Sequence, residues 1–210
     1  MAPDIMLLVA VAAVGIRMAV LHDRLRTLEA QVIRDPLTGA FNRRHMQITL
    51  AAAVERRRRN AERASLLLID IDRFKEVNDV FGHAEGDRVL KELVVLVGQR
   101  LRKLDALFRT GGEEFALLLS GAGLTEALAV AESLRGLVQD AGLAPGRRLS
   151  ISIGVVELEH GQAVPDWIAE ADAALYRAKR TGRNRVAGRS GAPPPQLVDA
   201  ANRLSFLARR

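Results

Sequence analysis

The sequence predicts an α+β domain with a central mixed sheet of about five strands flanked by helices, preceded by a hydrophobic N-terminal helix. Three observations carry that expectation. Apolar periodicity alternates between strand and helix type in the order β-α-α-β-β-α-β-α-β, a pattern related to the split βαβ plan. Residues 66–71 (LLLIDI) are continuously apolar and then acidic, as expected of a buried strand at the sheet centre. A chain of 210 residues, 49% apolar and 27% charged, suffices for one domain with short extensions and excludes disorder throughout.

Residues 5–16 are uninterrupted apolar; Arg17 breaks the run and residues 18–21 resume it. Residues 1–21 are therefore expected to anchor the chain in a membrane, at the lower length limit for a span. A cleaved signal peptide fits poorly, because Asp4 stands where a basic region belongs. Arg17, Arg24, Arg26 and Arg34 follow the run and no Lys or Arg precedes it. The positive-inside rule then places the body in the cytoplasm, at the inner membrane. The alternative is a cytoplasmic protein whose hydrophobic helix packs on a partner or on the body. Residues 22–34 read as an amphipathic stalk, with Leu21, Leu25, Leu28 and Val32 on one stripe suited to parallel dimerisation.

The body is expected over residues 35–187. It opens on the turn chemistry of Asp35-Pro36-Leu37-Thr38-Gly39. Helices are predicted over 43–63, 73–81, 84–101, 124–141 and 165–180, with Gly82 separating the second from the third. The basic run Arg56 to Arg59 reads as a solvated face. Strands are predicted over 66–71, 106–110, 115–120 and 149–158, with a short last one through residues 184–186. Gly111-Gly112 is expected to turn a hairpin between 106–110 and 115–120. Residues 188–210 begin with Gly, Ser and Pro193 to Pro195 and read as a linker followed by one weak amphipathic segment.

Composition narrows the function classes. The chain has no cysteine, which excludes a disulfide scaffold, a Cys-ligated zinc site and a thiol nucleophile. The net charge is +6, but residues 177–210 hold nine Arg or Lys against the single acid Asp199. The remaining body is close to neutral, and aromatics make up only 4%. No nucleic-acid partner is expected from such a charge distribution.

Asp70 and Asp72 end the central strand and share one face of it. A carboxylate at the end of a buried strand needs a partner, and for Asp70 a divalent cation supplies one. Asp72 also suits the N-cap of the following helix. The hairpin should bring Glu113 across from Asp70. Oxygen-only ligation by paired carboxylates suits Mg²⁺, which typically also takes substrate phosphates as ligands. Lys179 and Arg183, at the end of the last helix, and Lys75 are candidates for a phosphate clamp; at a helix C-terminus Lys and Arg also complement the dipole.

Taken together, these segments resemble the GGDEF family of diguanylate cyclases. The resemblance rests on Asp35-Pro-Leu-Thr-Gly, Asn42-Arg43-Arg44, and Leu68-Ile-Asp-Ile-Asp-Arg-Phe-Lys75. It continues through Asn78-Asp-Val-Phe-Gly-His83, Gly86-Asp87, Arg109-Thr-Gly-Gly-Glu-Glu-Phe115 and Ser152-Ile-Gly-Val155. It closes with Ala171-Asp172-Ala-Ala-Leu-Tyr176-Arg-Ala-Lys179 and Gly182-Arg183-Asn184. The motifs run in order from about residue 34 to 187.

The resemblance implies a nucleotide-cyclase, polymerase-palm-like fold. It also implies condensation of two GTP into cyclic di-GMP, with release of two pyrophosphates, across a homodimer. It assigns Mg²⁺, with Mn²⁺ as a substitute, to Asp70, the Ile71 carbonyl and Glu113. Asp70, Glu113 and Glu114 are the implied catalytic acids, with Glu114 assisting deprotonation. Asn78 and Asp87 would read the guanine edge, which adenine cannot match. Lys75, Lys179 and Arg183 would hold the β- and γ-phosphates. Phe74 and His83 join the substrate-binding set, and Gly111 and Gly112 leave room for the nucleotide.

Arg102-Lys-Leu-Asp105 stands five residues before Gly111. At that offset the family carries an R-x-x-D site that binds the product and inhibits. The bland reading is a surface Arg–Asp pair at a helix end, of little energetic value. Two departures from the family pattern occur: Glu113 replaces an Asp, and Arg73 stands where an aromatic residue is common. The runner-up function is a catalytically silent module that senses cyclic di-GMP through Arg102 and Asp105.

Overall fold

The computed structural model describes residues 14–18 and 33–189. The chain divides into two units, Met1–Ile33 and Arg34–Arg210. In the first, residues 14–18 are helical and exposed. The rest of the expected anchor over 1–21, nearly all of the stalk over 22–34, and the tail beyond residue 189 lie outside the described residues. Among the described residues, no helix is long and apolar enough to cross a membrane.

The second unit follows the predicted order with one addition. Its elements are β1 (Phe41–Asn42), α1 (Arg43–Asn60), β2 (Ala64–Ile71), α2 (Phe74–Phe81), α3 (His83–Gly98) and β3 (Ala106–Gly111). Then come β4 (Glu114–Ser120), α4 (Leu124–Asp140), β5 (Ile151–Glu157), α5 (Val164–Arg180) and β6 (Val186–Ala187). The sheet therefore has six strands, in the order β1-β3-β4-β2-β5-β6. The additional strand, β1, is two residues long and pairs parallel with β3. A two-residue strand has no periodicity for the sequence to display.

β2 lies at the sheet centre, antiparallel to β4 on one side and to β5 on the other. Burial on both faces explains its unbroken apolar run. Its alternate residues Leu67, Ile69 and Ile71 join the core beneath α2, α3 and α4. Leu66 belongs to the opposite core, with Met46 and Leu50 of α1 and Trp167, Ala171 and Ala174 of α5. Asp70 has the parity of Leu66 and so lies on the α1/α5 side.

Local chemistry sets the element ends. Asn42 Oδ1 accepts the His45 N–H and caps α1. Ala61, in left-handed conformation, stops α1 three residues before its predicted end. α5 begins with Pro165 in its first turn and ends in Arg177, Lys179 and Arg180. Gly154 lets α5 lie directly on β5, since a Cβ there would come within 2.3 Å of the Leu175 nitrogen and 2.4 Å of the Ala171 oxygen. The buried Trp167 Nε1 donates to the Val156 carbonyl across the same contact, at 3.0 Å.

Candidate active site

The carboxyl end of β2, the β3–β4 turn and the end of α5 meet at one corner of the sheet. Asp70 is 6% exposed there. Its Oδ2 lies 2.7 Å from Lys179 Nζ, which reaches back from the last turn of α5. Burial pushes the Asp70 carboxyl above the ordinary aspartate range; Lys179 counters this, and Glu113 and Glu114 add to it by repulsion.

The signature turn differs in register from the expectation. β3 runs on through Gly111, a bulge interrupts the ladder between Arg109 and Gly111, and the turn residues are Gly112 and Glu113. Gly112 takes φ +49°, a conformation glycine adopts at least cost. The cross-strand partner of Asp70 is consequently Glu114. Glu113 stands in the turn, half-buried, and its carbonyl accepts the Ile71 N–H at 3.4 Å. Glu114 is exposed.

Arg109 fixes this turn. Its Nε and Nη2 donate to the Gly112 carbonyl at 3.1 and 2.9 Å, and its Nη1 donates to Asp35 Oδ1 at 3.0 Å. The same Asp35 oxygen accepts the N–H and the hydroxyl of Thr38. Burial alone would raise the Asp35 carboxyl; the hydrogen bonds from Thr38 and Arg109 outweigh it and hold the group below its usual range. The first turn of the domain is thus tied through one guanidinium to the signature turn. Asp35 takes the turn role its sequence predicts, while its tie to Arg109, 74 residues away, has no local signal.

Asp72 does not cap α2. The residue at the N-cap is Arg73, in left-handed conformation and with no side-chain cap bond. Asp72 instead accepts hydroxyl hydrogen bonds from Ser150 and Ser152 at 2.7 and 2.6 Å, and the Asn184 N–H at 2.9 Å. Asn184 is further held by Arg135 of α4, whose Nη1 donates to its Oδ1 at 2.8 Å. This network joins the β2–α2 turn to the α5–β6 turn and positions Arg183 between them. Arg73 takes the cap position in its place, and the Asp72 oxygens are occupied by the two serine hydroxyls and the Asn184 N–H.

The remaining predicted residues spread around this corner. Phe74, the first residue of α2, is buried, Asn78 is half-buried, and Lys75, His83, Asp87 and Arg183 are exposed. Gly86 of α3 lies directly against the Asn78 amide: a Cβ would come within 2.0 Å of Asn78 Oδ1 and 3.2 Å of Phe74 Cζ, so the amide keeps its place only beside a glycine. Arg102 and Asp105 border a separate shallow pocket with Arg100, Ala122, Glu126 and Val130. Arg102 and Asp105 lie in the turn after α3. Asp105 Oδ2 accepts the Arg102 N–H at 2.9 Å and its Oδ1 the Ser120 N–H at 3.3 Å. Burial pushes the Asp105 carboxyl upward, and these bonds only partly offset it.

Among the described residues, no three His, Cys, Asp or Glu side chains form a complete metal cage. The donors at the β2 corner are oxygens: two carboxylates and a backbone carbonyl. Such a partial set fits Mg²⁺, which keeps waters and takes substrate phosphates. The mutual repulsion at Asp70, met in this structure by Lys179, is the demand a cation would satisfy.

Residues 32–185 match the family model described as "Diguanylate cyclase, GGDEF domain". Diguanylate cyclase DgcM of Escherichia coli (strain K12) is 42% identical over 159 residues, covering 76% of this chain and 39% of that protein. Response regulator PleD of Caulobacter vibrioides (strain NA1000 / CB15N) is 39% identical over 164 residues, covering 75% of this chain and 36% of that protein. The chain spans less than half the length of these curated relatives. Among solved structures, diguanylate cyclase SiaD from Pseudomonas aeruginosa, in complex with its activator SiaC, superposes with TM-score 0.72 at 37% identity. The match covers 88% of this chain and 73% of that one. The GGDEF domain of DgcB from Caulobacter crescentus, in complex with c-di-GMP, gives TM-score 0.71 at 29% identity, covering 75% and 96%. The active GGEEF domain of a diguanylate cyclase from Vibrio cholerae gives 0.68 at 35% identity, covering 72% and 98%. With its motifs in order, its sheet of six strands and a family match over most of its length, this chain belongs to the GGDEF diguanylate cyclase family.

Proposed function

We propose that the chain is a diguanylate cyclase that condenses two GTP into cyclic di-GMP across a homodimer. The observation that carries this reading is the meeting of Asp70 with Glu113 and Glu114 at the carboxyl end of β2, with Lys179 as their countercharge. In each half-reaction a 3′-hydroxyl of one GTP attacks the α-phosphorus of the other. An O3′–P bond forms, the bond from the α-phosphorus to the bridging oxygen breaks, and pyrophosphate leaves.

Asp70, the Ile71 carbonyl and Glu113 are the donors that would hold Mg²⁺ or Mn²⁺, which would neutralise phosphate charge and acidify the attacking hydroxyl. Glu114, exposed beside Asp70, takes the hydroxyl proton. Asn78 and Asp87 accept from the guanine N1 and N2 hydrogens. Lys75, Lys179 and Arg183 hold the β- and γ-phosphates, and Gly112 keeps the turn free of side-chain bulk. Arg102 and Asp105 bind the product and restrain the enzyme. Residues 1–21 anchor the chain in the inner membrane, with the catalytic domain in the cytoplasm, and residues 22–34 pair the two subunits.

The test is to incubate the full chain with GTP and Mg²⁺ over a range of protein concentrations and quantify cyclic di-GMP by mass spectrometry. Product that rises faster than linearly with protein, and vanishes in Glu113→Ala, supports the reading. No product at any concentration from a folded dimer leaves the silent-sensor alternative.

A further inference from the structure

Beside the β2 corner lies a cavity of about 260 Å³ between the β2–α2 turn, the loop before β5 and the α5–β6 turn. Arg73, Arg147, Arg148 and Arg183 line it, with Asp72 and Asn184. Asp72 is already satisfied by two hydroxyls and a peptide N–H, so the cavity presents cations in excess. Three of the four non-glycine residues with left-handed φ among the described residues, Arg73, Arg183 and Asn184, line this one cavity. Backbone strain of this kind persists where the surroundings enforce it and clusters at ligand sites.

Glu76 of α2 stands at the rim. It is ion-paired with Arg147 and lies 3.9 Å from Arg73 Nη1. The hydrogen bond from Arg147, and then the fields of Arg147, Arg73 and Arg183, hold its carboxyl below the usual range. One guanidinium thus pairs with this carboxylate, which is 46% exposed, a second lies at 3.9 Å, and a third adds its field. A pair so exposed is weak and readily exchanged. A polyphosphate offers each guanidinium more charge and a bidentate geometry.

We infer that Arg147 is a further substrate-binding residue, held by Glu76 in the free protein and handed to the terminal phosphates when a nucleoside triphosphate binds. The inference rests on the cyclase reading of the adjoining site, and adds to Lys75, Lys179 and Arg183 a cation from a different loop. Glu76 thereby acts as an internal competitor of the triphosphate.

The experiment measures equilibrium binding of guanosine 5′-[α,β-methylene]triphosphate, which cannot lose pyrophosphate, and of GMP to the full chain. Arg147→Ala is expected to lose about tenfold in affinity for the analogue and nothing for GMP, as removal of one guanidinium–phosphate contact predicts. Arg147→Lys should recover part of the loss. Glu76→Gln is expected to gain a few-fold for the analogue, and most of that gain should vanish when Arg147 is also replaced, because Arg147 is the partner that Glu76 binds directly. The inference is overturned if Arg147→Ala binds the analogue like wild type, if it loses GMP equally, or if Glu76→Gln gains as much without Arg147. Cyclic di-GMP formation by the wild type, measured in parallel, separates the two readings. Analogue binding without any product sinks the cyclase and spares the clamp, whereas a wild type that does not bind the analogue overturns both.

Discussion

Lys179 Nζ lies 2.7 Å from Asp70 Oδ2, so the last turn of the final helix neutralises a carboxylate at the end of the central strand. The contact joins the two groups that the proposed reaction needs apart, one at the metal and one at the phosphates. In the free protein they satisfy each other. Binding of Mg²⁺–GTP would replace that pair with two separate interactions, so substrate must carry both a cation and an anion to open the site.

Lys179→Met separates these contributions. It is expected to tighten Mg²⁺ binding to the nucleotide-free protein, because the competitor for Asp70 is gone, and to weaken GTP binding, because a phosphate contact is lost. Isothermal titration with metal alone and with nucleotide reads both directions. A variant weakened in both would show that Lys179 does not compete for Asp70.

Asp70→Asn should stabilise the metal-free domain while abolishing activity. The Asp70 carboxyl is raised chiefly by burial, so the fold disfavours its charged form at neutral pH, and a neutral isostere removes that cost. The Tm of the variant in EDTA should therefore exceed that of the wild type. Mg²⁺ should raise the Tm of the wild type and not of the variant. A lower Tm for Asp70→Asn in EDTA would count against the electrostatic reading.

The tie from Asp35 through Arg109 to the Gly112 carbonyl predicts a joint loss of stability and activity. Arg109 and Asp35 side chains are 14% and 19% exposed, so their partners are not easily resatisfied by water. Arg109→Ala is expected to cost about 1–3 kcal/mol and to lower cyclic di-GMP synthesis by loosening the turn that carries Glu113. The Asp35 carboxyl is held below its ordinary value. Its contribution is therefore fully present above the unfolded value near 3.8 and is lost as pH falls through the lower folded value. Asp35→Asn should flatten the acid limb of a Tm-against-pH curve there; an unchanged limb would exclude Asp35 as its source.

The sheet and its helices were legible because burial writes periodicity into the chain. The apolar run ending at Ile71 and the alternation around Gly111 and Gly112 reported real strands. The register was not legible. One bulged residue after Arg109 moves the turn to Gly112 and Glu113 and puts Glu114, not Glu113, across from Asp70. Asp72 suits a cap by sequence because it precedes a helix start. Its partners, Ser150, Ser152 and Asn184, are 78 to 112 residues away. The arginine cavity was invisible for the same reason: Arg73, Arg147 and Arg183 come from three separate loops.

Two glycines should respond in opposite ways to the same substitution. At Gly86 a Cβ meets the end of the flexible Asn78 side chain, at 2.0 Å from Oδ1, so the amide swings away and the helix survives. Gly86→Ala is expected to fold, gaining roughly 0.5–1 kcal/mol of helix preference, and to lose GTP affinity. At Gly154 the Cβ meets backbone of α5 at 2.3 and 2.4 Å, which cannot swing. Gly154→Ala should cost about 3 kcal/mol by overpacking. Thermal melts and GTP titrations distinguish them; a Gly86→Ala protein with wild-type GTP affinity would show that the Asn78 amide does not read the base.

Arg102 and Asp105 should differ although the family motif couples them. Both Asp105 oxygens accept backbone N–H groups, from Arg102 and from Ser120, so Asp105 holds the turn after α3 against the end of β4. Asp105→Ala strips two part-buried donors of their acceptor and is expected to cost about 1–3 kcal/mol in addition to any loss of product inhibition. Asp105→Asn should be milder, because burial already disfavours the charged carboxylate and the amide oxygen still accepts. Arg102→Ala is expected to relieve inhibition by cyclic di-GMP with a smaller loss of Tm than Asp105→Ala, since its backbone N–H remains. Inhibition curves and melts for the three variants decide this. Unaltered inhibition in Arg102→Ala would place the product site elsewhere, and an unaltered Tm in Asp105→Ala would remove Asp105 from the turn's support.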